Sequence, residues 1–181
     1  SPKRLINLST LAVYGSGLIE ELNQEVRPDD TYSLSKVRAE KQLLRLVDDT
    51  EHTVVNVRSP VVFGYSKNLR IDQMINRMIF DARMRGRVQV FGGADVSLPH
   101  VYIRDLVSLL ISLLDGLPQY LNVIPTPQQL SVRDVLRLLE ANSEERVDAV
   151  FVDQNVYRKS LKIGEGVPTI LSNRPKMELA D

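Results

Sequence analysis

Tyr32 and Lys36 stand four residues apart in Tyr32-Ser33-Leu34-Ser35-Lys36, a spacing that on a helix brings both side chains to one face and within reach of one ligand. A free phenol, with a pKa of ~10, is a poor base at neutral pH, but a close ammonium favours the phenolate. A tyrosine so placed can exchange a proton with a substrate hydroxyl. The spacing alone also arises by chance on a solvated helix, so its weight depends on its surroundings. About twenty residues earlier an apolar strand ends in Ser9-Thr10, and parallel sheets place ligand sites at the carboxyl ends of their strands. A hydroxyl at that point can orient a substrate.

The elements that must hold these residues follow from periodicity. Residues 4 to 9, with Leu5-Ile6-Asn7-Leu8, read as a buried strand. Residues 31 to 47 carry Leu34, Val37, Leu43, Leu44 and Val47 at helical intervals behind the capping candidates Asp29, Asp30 and Thr31. The stretch from Tyr14 to Arg27 reads as a loop. Val54-Val55-Asn56-Val57 is a short β-branched strand closed by Ser59-Pro60, because proline cannot donate to a central ladder. Strand, helix, strand implies a parallel crossover.

Farther on, a helix is expected from about Ile71 to Arg85, stopped at Gly86, then a strand Val88 to Phe91 running into Gly92-Gly93. Ile103 to Leu114 is a strongly apolar helix, too short to span a membrane, and Tyr120 to Ile124 a strand. Ser131 with Asp134 makes a cap for a helix reaching Ala141, and Val147 to Val152 is the last strand. From Asn155 onward periodicity is weak, which predicts irregular packing. Alternating strands and helices without repeat or linker give the α/β class.

Bulk properties narrow the chemistry. The 181 residues hold 23 basic and 23 acidic side chains, scattered rather than striped, so no field favours a polyanion and nucleic acid is not an expected partner. With no cysteine, and with two histidines lacking ligand-pair spacing, no metal centre is expected. No apolar run suits a membrane span and no signal peptide is evident, so a cytoplasmic protein is the expectation.

Taken together, these motifs resemble the extended short-chain dehydrogenase/reductases, the NAD-dependent epimerase/dehydratase family. There a strand ends in Ser or Thr four residues before a Tyr-Gly pair and a Tyr-x-x-x-Lys helix follows, and Thr10, Tyr14-Gly15, Tyr32 and Lys36 match in order. Val57-Arg58-Ser59-Pro60-Val61-Val62-Phe63-Gly64 is similar to the family's Leu-Arg-Pro-x-x-Val-Tyr-Gly stretch. His100-Val101-Tyr102-Ile103-Arg104-Asp105-Leu106 is similar to its Phe-Val-His-Val-Asp-Asp-Val stretch, and Asn122-Val123 with Leu130-Ser131-Val132 fits its late strand and helix start.

The resemblance implies a Rossmann-like doubly wound parallel sheet, carboxyl-terminal part, with a small α/β substrate-binding subdomain. Residues 1–64 would be core carrying the Thr/Tyr/Lys site, and 65–181 mainly substrate-binding, with 101–124 returning to the core. It implies NAD or NADP as cofactor, bound by Tyr32, Lys36 and Pro60, with Tyr32 also as acid/base, Lys36 on the nicotinamide ribose, Thr10 on the reacting oxygen and Pro60 beside the nicotinamide. Tyr14, Val61, Leu98 and His100 fall at substrate-side positions. Homodimers through a helix pair are usual in such proteins, and Arg38, Lys41, Gln42 and Arg45 on the Tyr32 helix would lie there.

Departures shape the expectation. No Gly-x-x-Gly-x-x-Gly occurs in the 181 residues, and Gly15-Ser16-Gly17 follows the wrong strand, so the amino-terminal dinucleotide-binding strands are expected to be missing. The ending Arg174 to Asp181 is similar to a segment that precedes a last helix, which suggests a carboxyl end that is also cut. Leu11-Ala12 stand where 4,6-dehydratases carry an Asp-Glu pair, and neither can titrate, which argues against dehydration by that route. Leu98 and Val61 replace an arginine and an asparagine that commonly meet nucleotide diphosphates, leaving Arg70, Arg87 or Arg104 to supply the charge.

Single residues carry structural readings too. His100 reads as a satisfied core histidine, Tyr14 equally as pocket lining or packed aromatic, and Arg58 as one half of a structural ion pair. The expected function is an NAD(P)-dependent epimerase or reductase acting on a sugar or similar polar hydroxyl or carbonyl substrate. The rivals are a non-catalytic binding or structural module and a reductase-like subunit of a larger assembly.

Overall fold

The computed structural model describes residues 4–48, 52–114, 120–143, 147–153 and 160–170. In chain order its elements are β1 (Arg4–Thr10), a one-turn 3-10 helix (Leu11–Tyr14), β2 (Gly17–Ile19), α1 (Thr31–Asp48), β3 (Thr53–Ser59), β4 (Val61–Phe63), α2 (Met74–Arg85) and β5 (Arg87–Phe91). There follow β6 (Ser97–Tyr102), α3 (Ile103–Ser112), β7 (Tyr120–Val123), β8 (Gln128–Ser131), α4 (Val132–Ala141), β9 (Asp148–Asp153) and β10 (Leu161–Ile163). This is an α/β fold in which most strand pairs run parallel.

The sheet that positions the site is β1-β3-β7, parallel throughout. β3 lies in its middle with Val54, Val55, Asn56 and Val57 all buried, which explains a β-branched run without alternation. Asn7, Asn56 and Asn122 share one register row and form a ladder, Asn7 Nδ2 donating to Asn56 Oδ1 at 2.8 Å and Asn56 Nδ2 to Asn122 Oδ1 at 3.0 Å. A slipped strand would bury these amides unpaired, so the ladder fixes register. In that register Thr10 lies opposite Ser59, and β1 and β3 end level, with Pro60 next in the chain.

Helices cover the strands through three apolar clusters. α1 joins its buried Val37 to Leu11, Val13, Tyr14, Ile19 and Ile124. α3 with its C-cap packs Leu106, Leu109 and Leu113 against Val55, Val57, Val101 and Val123. α2 and α4 meet over Phe63, Ile75, Met78, Val88, Val90, Val132 and Val135. α4 begins with the expected capping box between Ser131 and Asp134, and α2 ends on Gly86 in the left-handed region, φ 62°.

Some boundaries differ from expectation. The stretch read as a loop, Tyr14 to Arg27, contains β2, which pairs in parallel with β10 from the tail read as irregular. Three-residue strands carry no alternation of their own; partners far apart in the chain define them. β6 and β8 also went unread, β6 because Pro99 sits in the central strand of β4-β6-β8, where proline is unusual. α2 starts at Met74 rather than Ile71, and α3 ends at Ser112 rather than Leu114. The expectations for 155–159 and for 174–181 lie outside the described residues. Three pairings cross the division at residue 64, β4 on β6, β10 on β2, and β7 on β3, the last within the 101–124 segment expected in the core. Among the described residues no helix is long and apolar enough to cross a membrane.

Candidate active site

α1 starts where its sequence supplies a cap: the Asp30 carboxylate accepts the backbone N–H of Ser33 at 2.6 Å and the Ser33 hydroxyl at 2.8 Å. This start puts Tyr32 in the first turn, 56% exposed, over the carboxyl ends of β1 and β3. One turn on, Lys36 Nζ donates to the backbone carbonyl of Leu8 at 3.0 Å and lies 5.8 Å from the centre of the Tyr32 ring. Thr10 Oγ1 accepts the backbone N–H of Ala12 at 3.2 Å, an N-cap for the 3-10 turn. Its own hydrogen is thereby left for a second partner.

These side chains line one open cleft of about 350 Å³, with Ser59, Pro60, Val62, Gly64 and Ile103 as further wall. Polar residues complete the lining: Ser66, Asn68, Arg70, Gln73 and Asn76. Asn76 secures it, accepting the Gly64 N–H at 3.0 Å and donating to the Arg70 carbonyl at 3.1 Å. Gly64 has φ 109°, and a Cβ there would come within 2.4 Å of the Tyr102 ring. Arg70 is forked on Asp72, whose hydrogen bonds and charge raise its pKa above the ordinary value; the field of Tyr32 adds in the same direction.

Behind the cleft lies a buried ion pair. Arg58 reaches Glu40 with Nη2 at 2.8 Å and Nε at 3.2 Å, and Ser9 Oγ donates to Glu40 Oε1 at 2.6 Å. Arg58 Nη1 donates to the Tyr14 hydroxyl at 2.7 Å, and that hydroxyl donates to the Leu22 carbonyl at 2.5 Å. Burial would lower the Arg58 pKa, but the hydrogen bonds and charge of Glu40 outweigh it and the guanidinium stands above its ordinary value. Burial pushes the Tyr14 phenol up, with Arg58 opposing.

Thr10, Tyr32, Lys36 and Pro60, expected to act together, are therefore brought to one cleft. Tyr14, Val61, Leu98 and His100, expected on the substrate side, are not among its lining residues. Tyr14 packs behind it on Arg58; Leu98 packs against the cluster around Ile19 and Ile124; Val61 and His100 are register partners on β4 and β6. His100 is fully buried, its Nδ1 2.8 Å from the Leu98 carbonyl, and its Nε2 finds no partner among the described residues. Desolvation lowers its pKa to about 4 against the pull of that carbonyl. It is thus a core histidine, though not a fully satisfied one. Of the three arginines considered for an anion, Arg70 is the one that lines the cleft.

Of the polar wall the sequence offered Arg70 alone; Ser66, Asn68, Gln73 and Asn76 carry no motif signal, and the role of Glu40 was not read either. Ser66, Asn68 and Gln73 precede α2 without periodicity, and Asn76 lies in its first turn. Glu40 did leave a signal: it stands four residues after Lys36, the same helical step that joins Lys36 to Tyr32. Among the described residues no group of three or more acidic or histidine side chains is gathered that could hold a metal ion.

Comparison with known proteins follows this geometry. A model of the NAD dependent epimerase/dehydratase family matches residues 1–123. A UDP-glucose 4-epimerase of Vibrio cholerae is 38% identical over 66 residues, 34% of this chain and 20% of that protein. Among solved structures, MoeE5 in complex with UDP-glucuronic acid and NAD superposes with a TM-score of 0.76 at 21% identity, over 92% of this chain and 56% of that one. TunA, an NAD-dependent NDP-hexosamine 5,6-dehydratase of tunicamycin biosynthesis, does so with 0.74 at 26% identity, over 89% and 53%. The chain thus spans little more than half of either structure and a fifth of the curated relative.

Proposed function

This chain belongs to the NAD-dependent epimerase/dehydratase family, and on that premise we propose that its cleft performs the proton-transfer half of an NAD(P)-dependent epimerisation or reduction of a sugar-like substrate. The single observation that carries the proposal is the convergence of Thr10, Tyr32, Lys36 and Pro60 on one open cleft at the ends of β1 and β3.

In this reading the Tyr32 phenolic oxygen takes the proton of a substrate hydroxyl, or returns it to a carbonyl oxygen. Thr10, whose oxygen already accepts from Ala12, donates its remaining hydrogen to the same substrate oxygen. Lys36 spends one N–H on Leu8 and offers the other two to ribose hydroxyls of the cofactor. Pro60 presents an apolar, donor-free surface suited to a nicotinamide face. A nicotinamide dinucleotide, when bound, supplies the hydride acceptor and donor. The donor set fits its nicotinamide-ribose end; the glycine turn that would hold the pyrophosphate does not occur in the 181 residues.

Arg70 supports a substrate bearing an anionic group, since it is a cation on the cleft wall. MoeE5 is solved in complex with UDP-glucuronic acid and with UDP-glucose, and a sugar nucleotide of that kind is the class we assign. Epimerisation is favoured over 4,6-dehydration because Leu11 and Ala12, beside Thr10, have no proton to move. The exposed Arg38, Lys41, Gln42 and Arg45 on α1 fit a homodimer contact, and the cytoplasm is the proposed setting.

The test is to titrate the full-length protein with NAD and NADP and then to follow exchange between C4 epimers of UDP-sugars. Saturable binding with turnover supports the reading. Absence of both favours the rival, a binding or structural module.

A further inference from the structure

The buried Glu40–Arg58 pair joins the three elements that carry the cleft residues. Glu40 lies on α1, one turn past Lys36 and two past Tyr32, so the three occupy one stripe of the helix. Ser9, which donates to Glu40, is the neighbour of Thr10 on β1. Arg58, which grips Glu40 with two nitrogens, lies two residues before Pro60 on β3. Through Nη1 the same guanidinium holds the Tyr14 hydroxyl and the Leu22 carbonyl, beyond the turn capped by Thr10.

Both charged side chains are 6% exposed. An ion pair so deep is a poor source of stability, because desolvating two charges offsets their attraction, and a well-packed apolar pair serves a core as well or better. Its distinguishing property is direction. The forked guanidinium on a carboxylate, with the Ser9 hydroxyl on the same oxygen, admits one relative placement of α1, β1 and β3. The same stripe carries a parallel tie nearer the cleft, Lys36 to Leu8, so two successive turns of α1 are fastened to two successive residues of β1.

We propose that Glu40 and Arg58 are positioning residues for the reaction, holding the Tyr32–Lys36 stripe against Thr10 and Pro60. The proposal rests on the function assigned above. A displacement of an ångström at a reacting group is enough to cost about 10²-fold in rate, so loss of the pair reaches the chemistry even if the fold survives.

The experiment compares full-length wild type, Glu40→Gln, the apolar double variant Glu40→Met/Arg58→Leu and Tyr32→Phe, measuring kcat, KM and thermal unfolding. In Glu40→Gln, kcat falls about 10- to 100-fold while KM stays within about twofold. The double variant, with its buried charges removed together, melts at or above wild type yet keeps the low kcat. If Glu40→Gln does not fold, the double variant decides alone. A wild-type kcat in the double variant, or in a folded Glu40→Gln, overturns the proposal and leaves the pair a purely structural one. Tyr32→Phe separates the two levels: if it turns over normally the assigned function fails, whereas if it is inactive while the pair variants are active only the positioning role fails.

Discussion

Lys36 Nζ is hydrogen-bonded to the backbone carbonyl of Leu8 at 3.0 Å, two residues before the Thr10 hydroxyl. A side chain from the helix is thus tied to the strand that ends in Thr10, and its ammonium sits 5.8 Å from the Tyr32 ring centre.

Replacing Lys36 by methionine keeps length and removes the tie and the charge. The expected result is a fall in kcat/KM of about 10²-fold or more with weakened cofactor affinity. Arginine does not rescue it, because a planar fork cannot reproduce a compact ammonium. Steady-state kinetics with a parallel cofactor titration check both statements.

Arg70 also lines the cleft, with Asp72 as its partner. In Arg70→Ala, KM for an anionic sugar substrate rises about tenfold, the scale of one lost charge-assisted hydrogen bond, and kcat changes little. A neutral analogue lacking the anionic group shows no such difference.

His100 makes stability depend on pH. Its folded pKa of about 4 lies below the ordinary 6.5, so the unfolded chain binds the extra proton between these values. Its contribution is fully present above pH 6.5 and is lost as pH falls towards 4, by up to about 3 kcal/mol. Urea unfolding of wild type and His100→Leu at pH 7 and near pH 4 measures this; the stability difference between them moves against wild type at the lower pH.

Gly64→Ala forces a side chain into φ 109° and against the Tyr102 ring and Ile103, a wall of the cleft. A loss of about 1–3 kcal/mol in unfolding free energy is expected, with substrate KM raised as the wall shifts.

How far the sequence carried is clearest residue by residue. Thr10, Tyr32 and Lys36 were legible because a strand end and a helical step of four are local signals, and the family resemblance gave them weight and added Pro60. β6 was hidden by Pro99, and β2 and β10 by being three residues long and paired with each other across the chain. Leu98, Val61 and His100 were placed on the substrate side by alignment with a motif, while β4 and β6 put them in the fabric of a sheet instead. Glu40 was overlooked because a charged residue on an amphipathic helix ordinarily faces solvent, and only the three-dimensional meeting with Arg58 and Ser9 shows otherwise.

The central claim is that the Tyr32 hydroxyl moves the substrate proton, and the most direct measurement is kcat of Tyr32→Phe in the full-length protein with NAD and a UDP-sugar. A loss of about 10²- to 10⁴-fold with an unchanged unfolding midpoint is predicted, since the ring is more than half exposed and removing its one oxygen leaves the core intact. A Tyr32→Phe protein that turns over at the wild-type rate would contradict it.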